Sequence, residues 1–121
     1  LEHYEKKAAL LKALAHPARL LIMDMLRRER MCICQLTAVL DKPQPYVSQQ
    51  IRVLREAGLV ACNKSGTYKC YYIKDLEVEK LLDVLLGESP SAVFFLKKGK
   101  EAMRTCIGAE DWESFLKKGS A

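Results

Sequence analysis

Gln44 to Val60 reads QPYVSQQIRVLREAGLV, the pattern of one short helix with a defined start and stop. Two prolines within Asp41-Lys42-Pro43-Gln44-Pro45 forbid a continuous helix, so the chain turns there and becomes helical again from Pro45. Val47, Ile51, Val53 and Leu54 make the core face, and Gly58 supplies the stop. Gln44, Tyr46, Ser48, Gln49 and Arg52 fall early on this helix. Another helix precedes the turn, from about Cys34 through Leu36, Val39 and Leu40. After Gly58 come two β-prone runs, Leu59 to Lys64 and Thr67 to Ile73, around Ser65-Gly66, which reads as a hairpin.

Further out, Leu10, Leu11 and Leu14 give helical spacing from Tyr4 to Ala15. Pro17 suits the first turn of a second helix, Ala18 to about Arg27, and Met31 to Ile33 is a short apolar run. Beyond the hairpin a helix runs from about Asp75 to Leu86, Gly87 to Ser91 breaks it, and an amphipathic stretch spans Ala92 to about Cys106. The order helix, helix, short strand, helix, turn, helix, hairpin is a winged helix-turn-helix: mainly α, with a β-hairpin wing. One domain over 1–121, with a helical extension from about 88, accommodates the whole chain.

The bulk numbers agree with a globular protein. Half of the 121 residues are apolar and 29% are charged, which argues against disorder. A net charge of +5 suits a polyanionic partner without requiring one. No apolar run approaches the ~18 residues of a membrane span, and no signal-peptide pattern is present. The chain opens at Leu1 rather than Met, so a few native residues are expected before it. The cytoplasm is the default compartment, where the five cysteines are expected to be reduced. There is no Gly-rich phosphate loop, no Cys-x-x-Cys on a βαβ unit and no His near a nucleophile signature, so an enzyme is not expected.

LKALAHPARLLIMDML, CICQLTAVL, QPYVSQQIRVLREAGLV and NKSGTYKCYYI resemble, in order and spacing, the ArsR/SmtB metal-sensing repressors, over about Leu11 to Ile73. The resemblance implies a repressor that binds double-stranded operator DNA as a homodimer. Its dimer contacts are expected from Tyr4 to Ala15 and from Asp75 to Leu86, and its DNA contacts from Gln44, Tyr46, Ser48, Gln49 and Arg52. Gln pairs bidentately with adenine, Arg with guanine or phosphate, Ser with either kind of partner. The plainer reading is a solvated polar face. Lys64 and Lys69 in the wing are candidate phosphate contacts, but Thr67 stands where family members place an Arg after the wing glycine.

Cys32 and Cys34 match the Cys-x-Cys that the family's metalloid sensors carry before the recognition helix, which implies a thiophilic metal or metalloid ion as inducer. Thiolates are the soft ligands that As(III), Sb(III), Cd(II), Pb(II) and Cu(I) prefer. Cys34 reads as a helix N-cap, and Arg27, Arg28 and Arg30 lie close in sequence, both of which favour a thiolate. The plainer reading is a core strand that uses Cys as a small hydrophobe. Residues two apart on a helix lie about 200° around its axis, so one ion can join both only if Cys32 lies outside the helix or the first turn deforms.

Two thiolates leave the site incomplete. Cys106 is the favoured third ligand, with Cys62 and Cys70 expected far away in the wing. A two-residue Ser65-Gly66 loop sets Cys62 opposite Lys69, whereas a three-residue loop sets it opposite Cys70. The family's Asp/His/Glu zinc site is not expected, because the helix from Asp75 to Leu86 has no His; His16 reads as structural. Two alternatives remain open: a thiol redox or reactive-sulfur switch on the same fold, and a winged-helix interaction module that does not bind DNA.

Overall fold

The computed structural model describes residues 1–65 and 68–103. Five helices and three strands follow one another as α1 (Glu2–Leu14), α2 (Pro17–Arg28), β1 (Met31–Cys32), α3 (Ile33–Leu40), α4 (Gln44–Glu56), β2 (Val60–Ser65), β3 (Tyr68–Ile73) and α5 (Leu76–Leu86). A further helix, α6, covers residues 90–103. The winged helix-turn-helix is the architecture observed.

Local chemistry explains the boundaries. His16 caps α2, its Nδ1 accepting the Ala18 N–H at 3.2 Å, and Pro17 occupies the first turn. That is the structural role expected of His16. Asp41 closes α3 in the left-handed region at φ 53°, and Pro43 precedes α4, so the two helices meet across three residues. Gly58, at φ 77°, reverses the chain after α4 where a side chain would be strained. Asp75 caps α5 through the Val78 N–H at 3.1 Å.

The core is one cluster. Ile22, Met23 and Met25 of α2, Leu36 and Val39 of α3, Val47, Ile51 and Leu54 of α4, and Leu82 of α5 are buried together around Met31 and Leu59. Ala92, Phe95 and Leu96 of α6 pack onto it. Gly99 is what lets α6 approach: a Cβ there would stand 3.1 Å from Met31 Cε and 3.5 Å from Val39 Cγ2.

The sheet corrects two expectations. It has three antiparallel strands in the order β1-β3-β2, so β1 joins the wing. Cys32 faces Cys70 across the β1–β3 ladder, so Cys70 is beside the Cys-x-Cys and not far from it. In the hairpin, Ser65 faces Tyr68, Lys64 faces Lys69, Asn63 faces Cys70 and Cys62 faces Tyr71. Neither expected register occurs. The loop is 66–67, one residue later than Ser65-Gly66. Cys62 and Cys70 therefore point to opposite faces of the hairpin.

Candidate metal centre and nucleic-acid interface

Cys32 and Cys34 straddle the start of α3. Cys32, not Cys34, is the N-cap, with extended backbone at φ −86° and ψ 172°. Its N–H donates to Gln35 Oε1 at 3.0 Å, and its sulfur faces the Gln35 N–H, which completes a capping box. Gln35 is buried by this task. Cys34 is the second residue of the helix. Because Cys32 lies outside the helix, the 200° separation does not apply, and the two sulfurs approach to 2.9 Å without a bond between them.

A third sulfur meets them. Met103 Sδ on α6 accepts from Cys32 Sγ at 3.1 Å and lies 3.7 Å from Cys34 Sγ. Met103 is fully buried, and Cys32 nearly so at 4% exposure. Met103 follows Gly99 by one helical turn, so the glycine that seats α6 against Met31 also sets the thioether over the thiols. Among the described residues, no three His, Cys, Asp or Glu side chains gather in a way that could hold a metal. Cys106 lies outside the described residues. The donor set in view is thus entirely sulfur, which fits a thiophilic ion and not a hard cation.

The Cys32 thiol is held down to about 7, chiefly by its hydrogen bond with Cys34, against the opposing effect of burial; the N–H groups of Gln35, Cys34 and Cys32 add to the lowering. The neighbouring arginines are not the cause. Arg27 pairs with Asp24 at 2.7 Å and Asp83 at 3.1 Å and donates to the Gly87 carbonyl. Arg28 reaches Asp24, Glu88 and the same carbonyl, so both lock α2 to the end of α5. Arg30 lies over the Tyr72 ring at 4.8 Å. Cys70, by contrast, is pushed up by burial first and by Cys32 second, with Arg30 opposing.

On α4, Gln44, Ser48, Gln49 and Arg52 are exposed, while the opposite side buries Val47, Gln50, Ile51 and Leu54. Arg52 Nε holds Glu56 Oε1 at 3.1 Å across one turn, in an exposed pair that a phosphate could replace. Tyr46 differs from the others: it is half-buried and packs against the core, leaving less of it for a partner. In the wing, Lys64 and Lys69 are directly opposite each other and both exposed. Like charges paired this way destabilise a hairpin, a cost that an anion between them removes.

Sequence reasoning missed Met103. Its only signal was its place on the amphipathic α6 stretch, where a Met reads as ordinary core.

Relatives share this architecture. The bacterial regulatory protein family arsR matches residues 16–61. An uncharacterized HTH-type transcriptional regulator of Methanocaldococcus jannaschii is 38% identical over 86 residues, 70% of this chain and 97% of that one. The arsenical resistance operon repressor of Bacillus subtilis is 35% identical over 101 residues, 83% of this chain and 89% of that one. Among solved structures, the homodimeric winged helix-turn-helix DNA-binding domain of Mb0332 from Mycobacterium bovis superposes with a TM-score of 0.66 at 25% identity, covering 70% of this chain and 79% of its own. The chain belongs to the arsR family of bacterial regulatory proteins, and it is a DNA-binding transcription regulator, not an enzyme.

Proposed function

We propose that this regulator is a homodimeric repressor, released from operator DNA when a thiophilic metal or metalloid ion binds Cys32 and Cys34. The observation that carries the reading is the 2.9 Å approach of the two sulfurs at the start of α3, the helix packed before α4. Gln44, Ser48, Gln49 and Arg52 would read the major groove, with Tyr46 contributing its outer edge, and Lys64 and Lys69 would hold phosphate. Closing an ion between a cap residue and the first turn of α3 pulls on that turn and shifts α4 with it. A hundredfold loss of DNA affinity needs about 2.7 kcal/mol of such coupling.

Two subunits are needed to span successive grooves. Tyr4 and Leu11 on α1 and Leu76, Leu81, Val84 and Leu85 on α5 are exposed apolar residues, Val84 at 87%. Lys7 and Glu77 tie the two helices together at 2.6 Å. This surface is the proposed dimer contact; the similar Mb0332 domain is itself homodimeric.

The test is operator release by purified protein. As(III), Cd(II) or Cu(I) should displace the wild type from DNA, and Cys32→Ser and Cys34→Ser should each abolish the response. A normal response in both variants removes the cysteine pair from the sensing role. The sulfur contact also favours a second reading, a redox switch, in which a peroxide oxidises one thiolate to a sulfenic acid and the other thiol displaces water to leave a disulfide. Release by peroxide in the absence of metal selects that reading.

A further inference from the structure

The sulfur contacts distinguish among the ions that the cysteine pair could bind. A metalloid such as As(III) takes thiolates by exchanging hydroxide for sulfur, each thiol proton leaving with a hydroxide as water. A thioether has no proton to give and cannot make that exchange. Zinc and its relatives complete their shells with imidazole, carboxylate or further thiolate rather than with thioether. Cu(I) and its monovalent congener Ag(I) accept thioether sulfur readily.

Met103 Sδ stands 3.1 Å and 3.7 Å from the two thiols whose own separation is 2.9 Å, so three sulfurs form one closed triangle. It is a compact one, buried at Cys32 and Met103 and half-buried at Cys34. Met103 is fully buried, and Gly99 one turn earlier removes the side chain that would hold α6 off Met31. A Met serving only as core filler has no need to turn its sulfur towards both cysteines, since a Leu fills a core of this kind equally well.

We propose that Met103 is the third ligand of the inducer site, in the position expected for Cys106, and that the Cys32–Cys34–Met103 triangle takes a soft monovalent cation of the Cu(I) class. This rests on the cysteine-pair reading above and extends it. Two thiols lose two protons to solvent and the thioether binds without proton loss, so a monovalent ion gives a site of net charge −1. The ion then bridges α6 to the β1–α3 junction.

The experiment is X-ray absorption at the copper edge on the full chain, produced with selenomethionine and loaded anaerobically with one equivalent of Cu(I). A selenium neighbour of copper is expected in the wild type and not in Met103→Leu, which keeps the volume and removes the sulfur. Competition with a chromophoric Cu(I) chelator gives the second readout: the ratio of Cu(I) to As(III) affinity should fall at least tenfold in Met103→Leu. Copper without a selenium neighbour in the wild type overturns the proposal, as does an unaltered ratio. If Cys106→Ser and not Met103→Leu lowers that ratio, Cys106 is the ligand and Met103 is not. Should Cys32→Ser and Cys34→Ser both bind Cu(I) and As(III) like the wild type, the cysteine-pair reading fails along with it. Loss in the cysteine variants alone confines the failure to Met103.

Discussion

Gly99 of α6 faces Met31 so closely that a Cβ on the glycine would stand 3.1 Å from Met31 Cε. An alanine asks only that the flexible tip of Met31 give way. A leucine has no such outlet, because Val39 Cγ2 closes the other side at 3.5 Å. Gly99→Leu is therefore expected to cost about 1–3 kcal/mol in overpacking. Denaturant midpoints at a constant slope check it, with Gly99→Ala falling well below Gly99→Leu in cost.

The wing and the recognition helix should separate in their effects. Gln49→Ala and Arg52→Ala are expected to lose operator binding, and for Gln49→Ala more against operator than against random sequence, at about 1–3 kcal/mol per base contact. Lys64→Ala and Lys69→Ala should weaken both DNAs alike and lower the salt dependence by about one unit of slope each. Binding isotherms across a salt series distinguish the two classes.

Glu29 sets a pH dependence. Burial pushes its carboxyl above the ordinary value of 4.5, and Lys100 on α6 opposes the shift only in part. Its Oε1 is buried with no hydrogen-bond partner among the described residues. The folded state thus keeps a proton that the unfolded chain has already released, so this group's contribution to stability falls as pH rises from 4.5 through the raised value. Glu29→Gln should flatten that part of the curve, measured as unfolding free energy against pH.

Much of this was legible in the chain itself, and the residues say why. Pro43, Pro45 and Gly58 are punctuation that acts locally, so the α3–turn–α4 unit follows from short-range rules. Cys32 and Cys34 were visible because their spacing is a motif. The register of the wing was not, since a shift of one residue at the turn changes every cross-strand partner. Nor was the β1–β3 pairing that brings Cys70 to Cys32, because a two-residue strand carries no periodicity. Met103 was hidden for a different reason: its partners lie about seventy positions away, and nothing short-range in a helix reveals which distant atoms its sulfur will meet.

The α5 surface gives a further test. Val84→Glu and Leu85→Glu place charge on side chains that are now 87% and 62% exposed, so the isolated subunit should fold as before. A dimer built on this face would bury both carboxylates and dissociate. Sedimentation at micromolar concentration is expected to show a dimer for the wild type and a monomer for the double variant. A monomeric wild type sinks the proposed assembly.

Cys32, Cys34 and Met103 all stand on one polypeptide, so the proposed triangle is complete within one subunit. On the proposed site, loading would proceed with one ion per subunit, and the proposed dimer would pass through a half-loaded intermediate. The steepness of the dose response is set by that intermediate alone. If one loaded half is enough to leave the DNA, induction is graded and begins at trace concentrations; if both are required, it becomes a threshold.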